Sequence, residues 1–175
     1  MSGGKGQAET ATLAGGCFWC TEAIFRRLKG VSEVTSGYAN SLVENPTWEE
    51  VYSERTEAAE AVRIKFDPKI ISYRQLLEVF FKLHDPTSLN RQGADAGTEY
   101  RSAIFYHDEE QEKAARGAKS KVTGAVTEVV PLKNFYRAEG YHRDYYENNK
   151  TASYCRLVID PKISKLYKEF EGMTA

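Results

Sequence analysis

From Ala59 to Phe66 the chain alternates without a break: Glu60, Val62, Ile64 and Phe66 fall on one side, Ala61, Arg63 and Lys65 on the other. Side chains that point to opposite faces at each step turn this pattern into one apolar face, which makes the run a β-strand. Pro68 ends it, and Ser72 with Gln75 then has the form of a capping box. The helix that follows carries Tyr73, Leu76, Leu77 and Phe80 on one stripe. A strand with one apolar face, followed at once by an amphipathic helix, predicts helices packed on a sheet.

Other segments extend the pattern. Ala11 to Ala14 is an apolar run closing at Gly15-Gly16, a strand entering a tight turn. Phe18 to Lys29 has helical spacing, with Gly30 as its stop, and Val31 to Tyr38 is β-like. Ser102 to His107 and Val126 to Val130 read as strands, separated by a polar helix that Asp108 and Gln111 cap. Asp160-Pro161 opens a last helix, with Ile163, Leu166, Tyr167 and Phe170 inward. Asp85 to Tyr100 and the Tyr-rich stretch from Lys133 to Tyr154 show neither period. A structureless stretch of that length is more often functional than idle. The expected fold is α+β: a two-layer sandwich of helices on a mixed sheet, with a ferredoxin-like core and a long irregular C-terminal segment. Residues 1–10 form a flexible lead-in and 11–175 a single domain.

The chain of 175 residues is sized for one domain, and its 41% hydrophobic content can fill a core. Lys plus Arg is 24 and Asp plus Glu is 25, a net charge of −1 that gives no reason to expect nucleic acid or an anionic membrane as partner. No apolar run approaches the ~20 residues that span a bilayer. The polar, Gly-rich start has the marks of neither signal peptide nor anchor. Three cysteines do not make a disulfide scaffold. A cytoplasmic location is expected.

Cys17 is the first candidate for chemistry. It follows two glycines at a helix start, where free N–H groups and the helix dipole favour a thiolate nucleophile. Cys20 lies three residues on, on the same helical face. Two inert buried cysteines would be the plainer reading. Zinc would need a second pair of ligands, but Cys155 stands alone and His84, His107 and His142 are scattered, so no metal is expected. Glu60 shares the apolar face of its strand. Desolvation there would raise its pKa and let it hold a proton for general-acid work, unless it lies just before the sheet and points at water. Phe18 and Trp19 point about 100° apart on a helix, so they cannot both be buried on one stripe, and one is left to line a pocket at the cysteine.

Gly16-Cys17-Phe18-Trp19 is similar to the signature of the A-type peptide methionine sulfoxide reductases. Asn45-Pro46-Thr47, Glu60-Ala61-Val62-Arg63, His84-Asp85-Pro86-Thr87, Gln92-Gly93, Gly97-Thr98, Tyr100 to Ile104 and Tyr154-Cys155 resemble family motifs in the expected order. The resemblance implies that Cys17 attacks the sulfoxide sulfur while Glu60 protonates its oxygen. It implies that Phe18 and Trp19 wall the substrate methyl group, and that Asp95 and Tyr100 orient the substrate. It also makes Cys155 a resolving cysteine, thioredoxin or a similar dithiol the reductant, and the S-epimer of methionine sulfoxide, free or in proteins, the substrate. No cofactor is implied. Cys20 stands where the family usually has glycine, Trp48 where a tyrosine that hydrogen-bonds the oxygen is common, and Ala58 where histidine is frequent. The expected first bridge is Cys17–Cys155, with Cys20 then exchanging onto Cys155. The alternative is a thioredoxin-like thiol–disulfide exchange protein using Cys17 and Cys20.

Overall fold

The computed structural model describes residues 7–175. In chain order the strands are β1 (Glu9–Gly15), β2 (Val31–Ala39), β3 (Ala59–Phe66), β4 (Arg91–Gln92), β5 (Asp95–Ala96), β6 (Ser102–Tyr106), β7 (Glu128–Pro131) and β8 (Phe135–Arg137). The helices are α1 (Phe18–Phe25), α2 (Trp48–Tyr52), α3 (Tyr73–Leu83), α4 (Glu109–Ser120), α5 (Tyr145–Asn148) and α6 (Asp160–Glu169). The main sheet runs β7-β6-β1-β3-β2-β8. Its pairs are antiparallel except β6 with β7. Within it, β1-α1-β2-β3-α3-β6 with spatial order β6-β1-β3-β2 is the expected ferredoxin-like core.

The alternation of β3 explains the layering. Val62, Ile64 and Phe66 join Leu13 and Ile104 beneath Phe18, Phe25, Leu76, Leu77 and Phe80 of the covering helices. Ser72 and Gln75 form the reciprocal cap that starts α3. The other face of the sheet carries Ala14, Ala39, Ala59, Ala61 and Ala103 around the buried Phe105, with Val130, Leu132 and Phe135 packed against them. No helix among the described residues is long and apolar enough to cross a membrane.

Several expectations need correction. Glu9 and Thr10, assigned to the lead-in, pair with Phe66 and Lys65, while residues 1–6 lie outside the described part. The stretch from Lys133 to Tyr154 contains β8, which is too short to show a period of its own and is held by pairing with β2. The segment 85–100 contains the β4–β5 hairpin. Helix α1 stops at Phe25, before the expected Lys29. A π-helical turn, Cys155–Ile159, leads straight into α6. The inward face of α6 runs through Ile163 and Leu166 in line with the buried Ile159, and Tyr167, at the edge of that stripe, is 43% exposed. After α6 the chain returns to the end of α1: the Lys29 N–H donates to the Met173 carbonyl at 2.8 Å, the Ala175 N–H to the Arg27 carbonyl at 2.8 Å, and Leu28 bridges Thr174.

Candidate active site

The turn from β1 into α1 places Cys17. Gly16 has φ 98°, and a Cβ on it would lie 2.6 Å from Cγ of Gln92. Gln92 is itself fixed: its side-chain oxygen accepts the Asp85 N–H at 2.9 Å, and its amide donates to the Asp85 carbonyl. Only glycine meets both demands at low cost. Cys17 is the N-cap of α1, with φ −56° and ψ 127°. Its side chain makes no capping hydrogen bond and contacts Cys20 instead.

Glu60 lies directly below. Its Oε1 accepts the Phe18 N–H at 3.1 Å, and the side chain is only 2% exposed. Burial pushes its carboxyl up to about 8; the Phe18 N–H pulls the other way, and the negative charges of Glu99 and Asp95 add to the rise. The reading in which Glu60 points at water does not hold, because β3 begins at Ala59 and its core face begins with Glu60. Tyr100 is buried, and burial with the nearby Glu60 and Cys17 keeps its phenol protonated.

The three cysteines are free thiols in one apolar cluster. Burial pushes the Cys17 thiol well up; its contact with Cys20 and the charge of Glu60 raise it further, against the Trp19 amide that faces it. The resting thiolate expected at Cys17 is thus corrected: desolvation outweighs the helix start. Cys20 carries the lowered value, about 7, chiefly through its contact with Cys17; burial opposes this, while Lys162 and the Tyr154 hydroxyl support it. Cys155, wholly buried, packs on Cys20, Ala23, Ile159 and Ile163. Burial raises its thiol, and the charges of Asp160 and Cys20 raise it further. Cys20 therefore touches both other thiols' surroundings.

Trp19 packs in an aromatic cluster beside the thiols. Its indole N–H donates to Nδ1 of His142 at 3.0 Å, its ring stacks on Tyr145 at 3.6 Å, and the edge of Tyr154 meets it at 5.7 Å. Phe18 faces Tyr38 and His142 from the other side. The Tyr154 hydroxyl donates to Oδ2 of Asp95 at 2.8 Å and lies 3.6 Å from the Cys20 sulfur. Cys17, Cys20, Asp95, Tyr154 and Lys162 line one cleft of about 670 Å³. Trp48 is placed differently. It opens α2 behind a Thr47–Glu50 capping box, stacks on Tyr52, and gives its main-chain N–H to Oε2 of Glu139 at 2.8 Å. Oε1 of the same Glu139 accepts the Tyr38 hydroxyl at 2.8 Å. Ala58 is buried in the core.

Sequence reasoning missed Tyr38, Glu139, His142 and Tyr145 as parts of this site. The density of tyrosines between Lys133 and Tyr154 was the available signal.

A buried thiol beside a carboxyl held protonated, with two further free thiols in the same cluster, is the arrangement of a cysteine-dependent oxidoreductase. The sequence model of the peptide methionine sulfoxide reductase family matches residues 9–174, and the chain belongs to that family. Peptide methionine sulfoxide reductase MsrA of Sulfolobus acidocaldarius is 55% identical over 170 residues, covering 93% of this chain and 95% of the relative. Among solved structures, methionine sulfoxide reductase A of Corynebacterium diphtheriae is 31% identical with a TM-score of 0.78, over 85% of this chain and 78% of that one. Mxr1 from Saccharomyces cerevisiae in complex with Trx2 is 28% identical with a TM-score of 0.52, over 79% of this chain and 84% of that one. The chain is accordingly an enzyme of thiol-dependent methionine sulfoxide reduction, and the thioredoxin-like exchange reading falls away.

Proposed function

We propose that the enzyme reduces the S-epimer of methionine sulfoxide, free or in proteins, with Cys17 as nucleophile and Glu60 as acid. Glu60 carries the reading: a carboxyl buried under the Phe18 amide and still protonated near neutral pH can give its proton to the sulfoxide oxygen. Protonation makes the sulfur electrophilic enough for the neutral, desolvated Cys17 to attack as it loses its own proton. Phe18, Trp19 and Tyr145 form an apolar slot for the methyl group, while Tyr100 and Asp95 hold the polar end. Trp48 contributes through Glu139 and Tyr38 to the opposite wall. The products are methionine and a Cys17 sulfenic acid.

Cys20 is the first resolving thiol in this reading and Cys155 the second. The Cys17 and Cys20 side chains are in contact, whereas Cys155 is wholly buried against Cys20. The Cys17–Cys155 bridge assumed a freely swinging tail; β8 on one side and the π-helical turn with α6 on the other flank the segment that carries Cys155 and favour Cys20 as the first partner. Across one cycle two thiols give up two electrons and two protons, and the sulfoxide oxygen leaves as water. Thioredoxin is the proposed reductant, supported by the yeast Mxr1 complex with Trx2. The reducing cytoplasm suits three free thiols.

The test mixes the reduced protein with one equivalent of a peptide carrying either sulfoxide epimer. Methionine formation from the S-epimer alone, with loss of two thiols, is expected. No methionine from either epimer would refute the assignment.

A further inference from the structure

We infer that Lys162 is a positioning residue for the resolving step: its ammonium, fixed in the wall of the cleft by α6, holds the Cys20 sulfur ready as a thiolate for attack on the oxidised Cys17. This rests on Cys20 being the first resolving thiol.

Lys162 lies in the first turn of α6 and is half-buried. It lines the active-site cleft beside Cys17, Cys20 and Tyr154, and also a small void beneath Cys20 bounded by Thr21, Phe80 and His84. It thus borders Cys20 from two sides. Among the described residues its ammonium has no carboxylate partner and no hydrogen bond to protein. The next lysine on the helix is engaged: Lys165 donates to the Lys82 carbonyl at 2.9 Å and pairs with Glu169 at 3.9 Å. A half-buried cation left without a carboxylate favours the nearest group able to become negative.

The contact with Cys17 and the Tyr154 hydroxyl also favour a Cys20 thiolate, but neither brings a positive charge to the sulfur. Cys17 and Cys155 are held neutral by burial. Asp95 and Glu60 are acidic and work against a thiolate. Tyr154 offers a hydroxyl but no charge, and Asp95 already receives its proton. His84, on the far side of Lys162, is lowered to about 4 by burial and adds no positive charge near neutral pH. Of the three lysines lining the cleft, Lys82, Lys162 and Lys165, Lys162 is the one that also borders the void beneath Cys20. Lys162 also lies C-terminal to every motif on which the family resemblance rests.

In the resolving step the Cys20 sulfur attacks the Cys17 sulfur, an S–S bond forms, and the S–O bond breaks. The hydroxide leaves as water with a proton from solvent. Cys20 is oxidised from the thiolate to the disulfide level, the Cys17 sulfur is reduced from the sulfenic to the disulfide level, and the S–O bonding pair leaves with the departing oxygen. The ammonium keeps its proton throughout.

The experiment uses the full chain with Lys162→Met and Lys162→Arg, mixed with one equivalent of a methionine sulfoxide peptide and quenched in acid at a series of pH values. Methionine and the Cys17–Cys20 bridge are quantified from the same reaction. In Lys162→Met, bridge closure relative to methionine release should slow about tenfold near neutral pH, and its pH midpoint should move up by about one unit. Lys162→Arg should restore both. An unchanged midpoint in Lys162→Met, or equal slowing in both variants, would overturn the role of Lys162. Cys20→Ser is the separate control: rapid Cys17–Cys155 closure in that variant would remove Cys20 as resolver and identify the failure as belonging to the earlier reading.

Discussion

Trp19 and His142 lie 123 residues apart in sequence and share one hydrogen bond, indole N–H to Nδ1, at 3.0 Å. Because Nδ1 accepts, the His142 proton sits on Nε2, which faces Glu139 at 3.9 Å. Burial lowers the imidazole pKa, so the ring stays neutral. One aromatic wall of the site is thus oriented by a neutral histidine from the far end of the chain.

Removing that acceptor should cost substrate affinity before chemistry. In His142→Leu the Trp19 N–H is left without a partner, a penalty of about 1–2 kcal/mol. KM for a sulfoxide peptide should rise roughly fivefold to twentyfold, with a smaller change in the single-turnover rate. An unchanged KM in steady-state assays would show that Trp19 is held by stacking on Tyr145 alone.

Glu60 sets a pH limit on the first step. Its proton is present below about 8 and lost above it, so methionine release in a single turnover should decline as pH rises through that value. Glu60→Gln should slow release by about 10²–10⁴-fold and abolish the descending limb. Rapid-quench measurement from mildly acidic to alkaline pH checks both; a descending limb that survives in Glu60→Gln would assign it to another group.

Resolution order is read from two serine variants. Cys20→Ser should accumulate a sulfenic acid on Cys17 that a dimedone probe traps. Cys155→Ser should close the Cys17–Cys20 bridge at the wild-type rate and be impaired only in later exchange. Peptide mapping after one turnover separates these outcomes, and a dominant early Cys17–Cys155 bridge would reverse the order.

Glu22 gives a prediction about stability. This residue of α1 is 3% exposed; its carboxyl accepts the Asp144 N–H at 3.2 Å and the Ser36 hydroxyl at 3.4 Å. Burial raises it from 4.5 to about 7. The folded state therefore binds its proton more tightly than the unfolded one, and stability falls as pH rises from 4.5 to about 7. Glu22→Gln should flatten the decline in Tm over that window by an amount worth about 1–3 kcal/mol. Identical Tm slopes in the two proteins would contradict it.

Gly16→Ala tests the turn that positions the nucleophile. A methyl group at φ 98° against the doubly bonded Gln92 should cost about 1–3 kcal/mol. Urea denaturation measures it, and a cost below a few tenths of a kcal/mol would mean that Gln92 yields.

What the sequence revealed were local decisions. The β3 alternation, the Ser72–Gln75 cap and the Gly15-Gly16 turn act within a few residues, and each appears where its pattern indicated. Glu60 was legible because its strand parity could be read. The protonation state of Cys17 was not, because desolvation depends on what covers the sulfur rather than on the turn beneath it. Tyr38, Glu139 and His142 were hidden for a related reason: each works through a partner about a hundred residues away. Tyr167 was misplaced because it stands at the edge of the α6 stripe, where apolar spacing does not separate a covered position from an exposed one.

The return of the C-terminus to α1 bears on how fast the third thiol can act. With β8 pinned on β2 and residues 173–175 bonded to Arg27–Lys29, the segment carrying Tyr154 and Cys155 is anchored at both ends. The search that a free tail would make on every cycle was completed once, when the chain folded. Cys155 meets Cys20 at a high effective molarity set by side-chain packing, so exchange between them should respond to core substitutions near Ile159 and Ile163, and hardly at all to solvent viscosity.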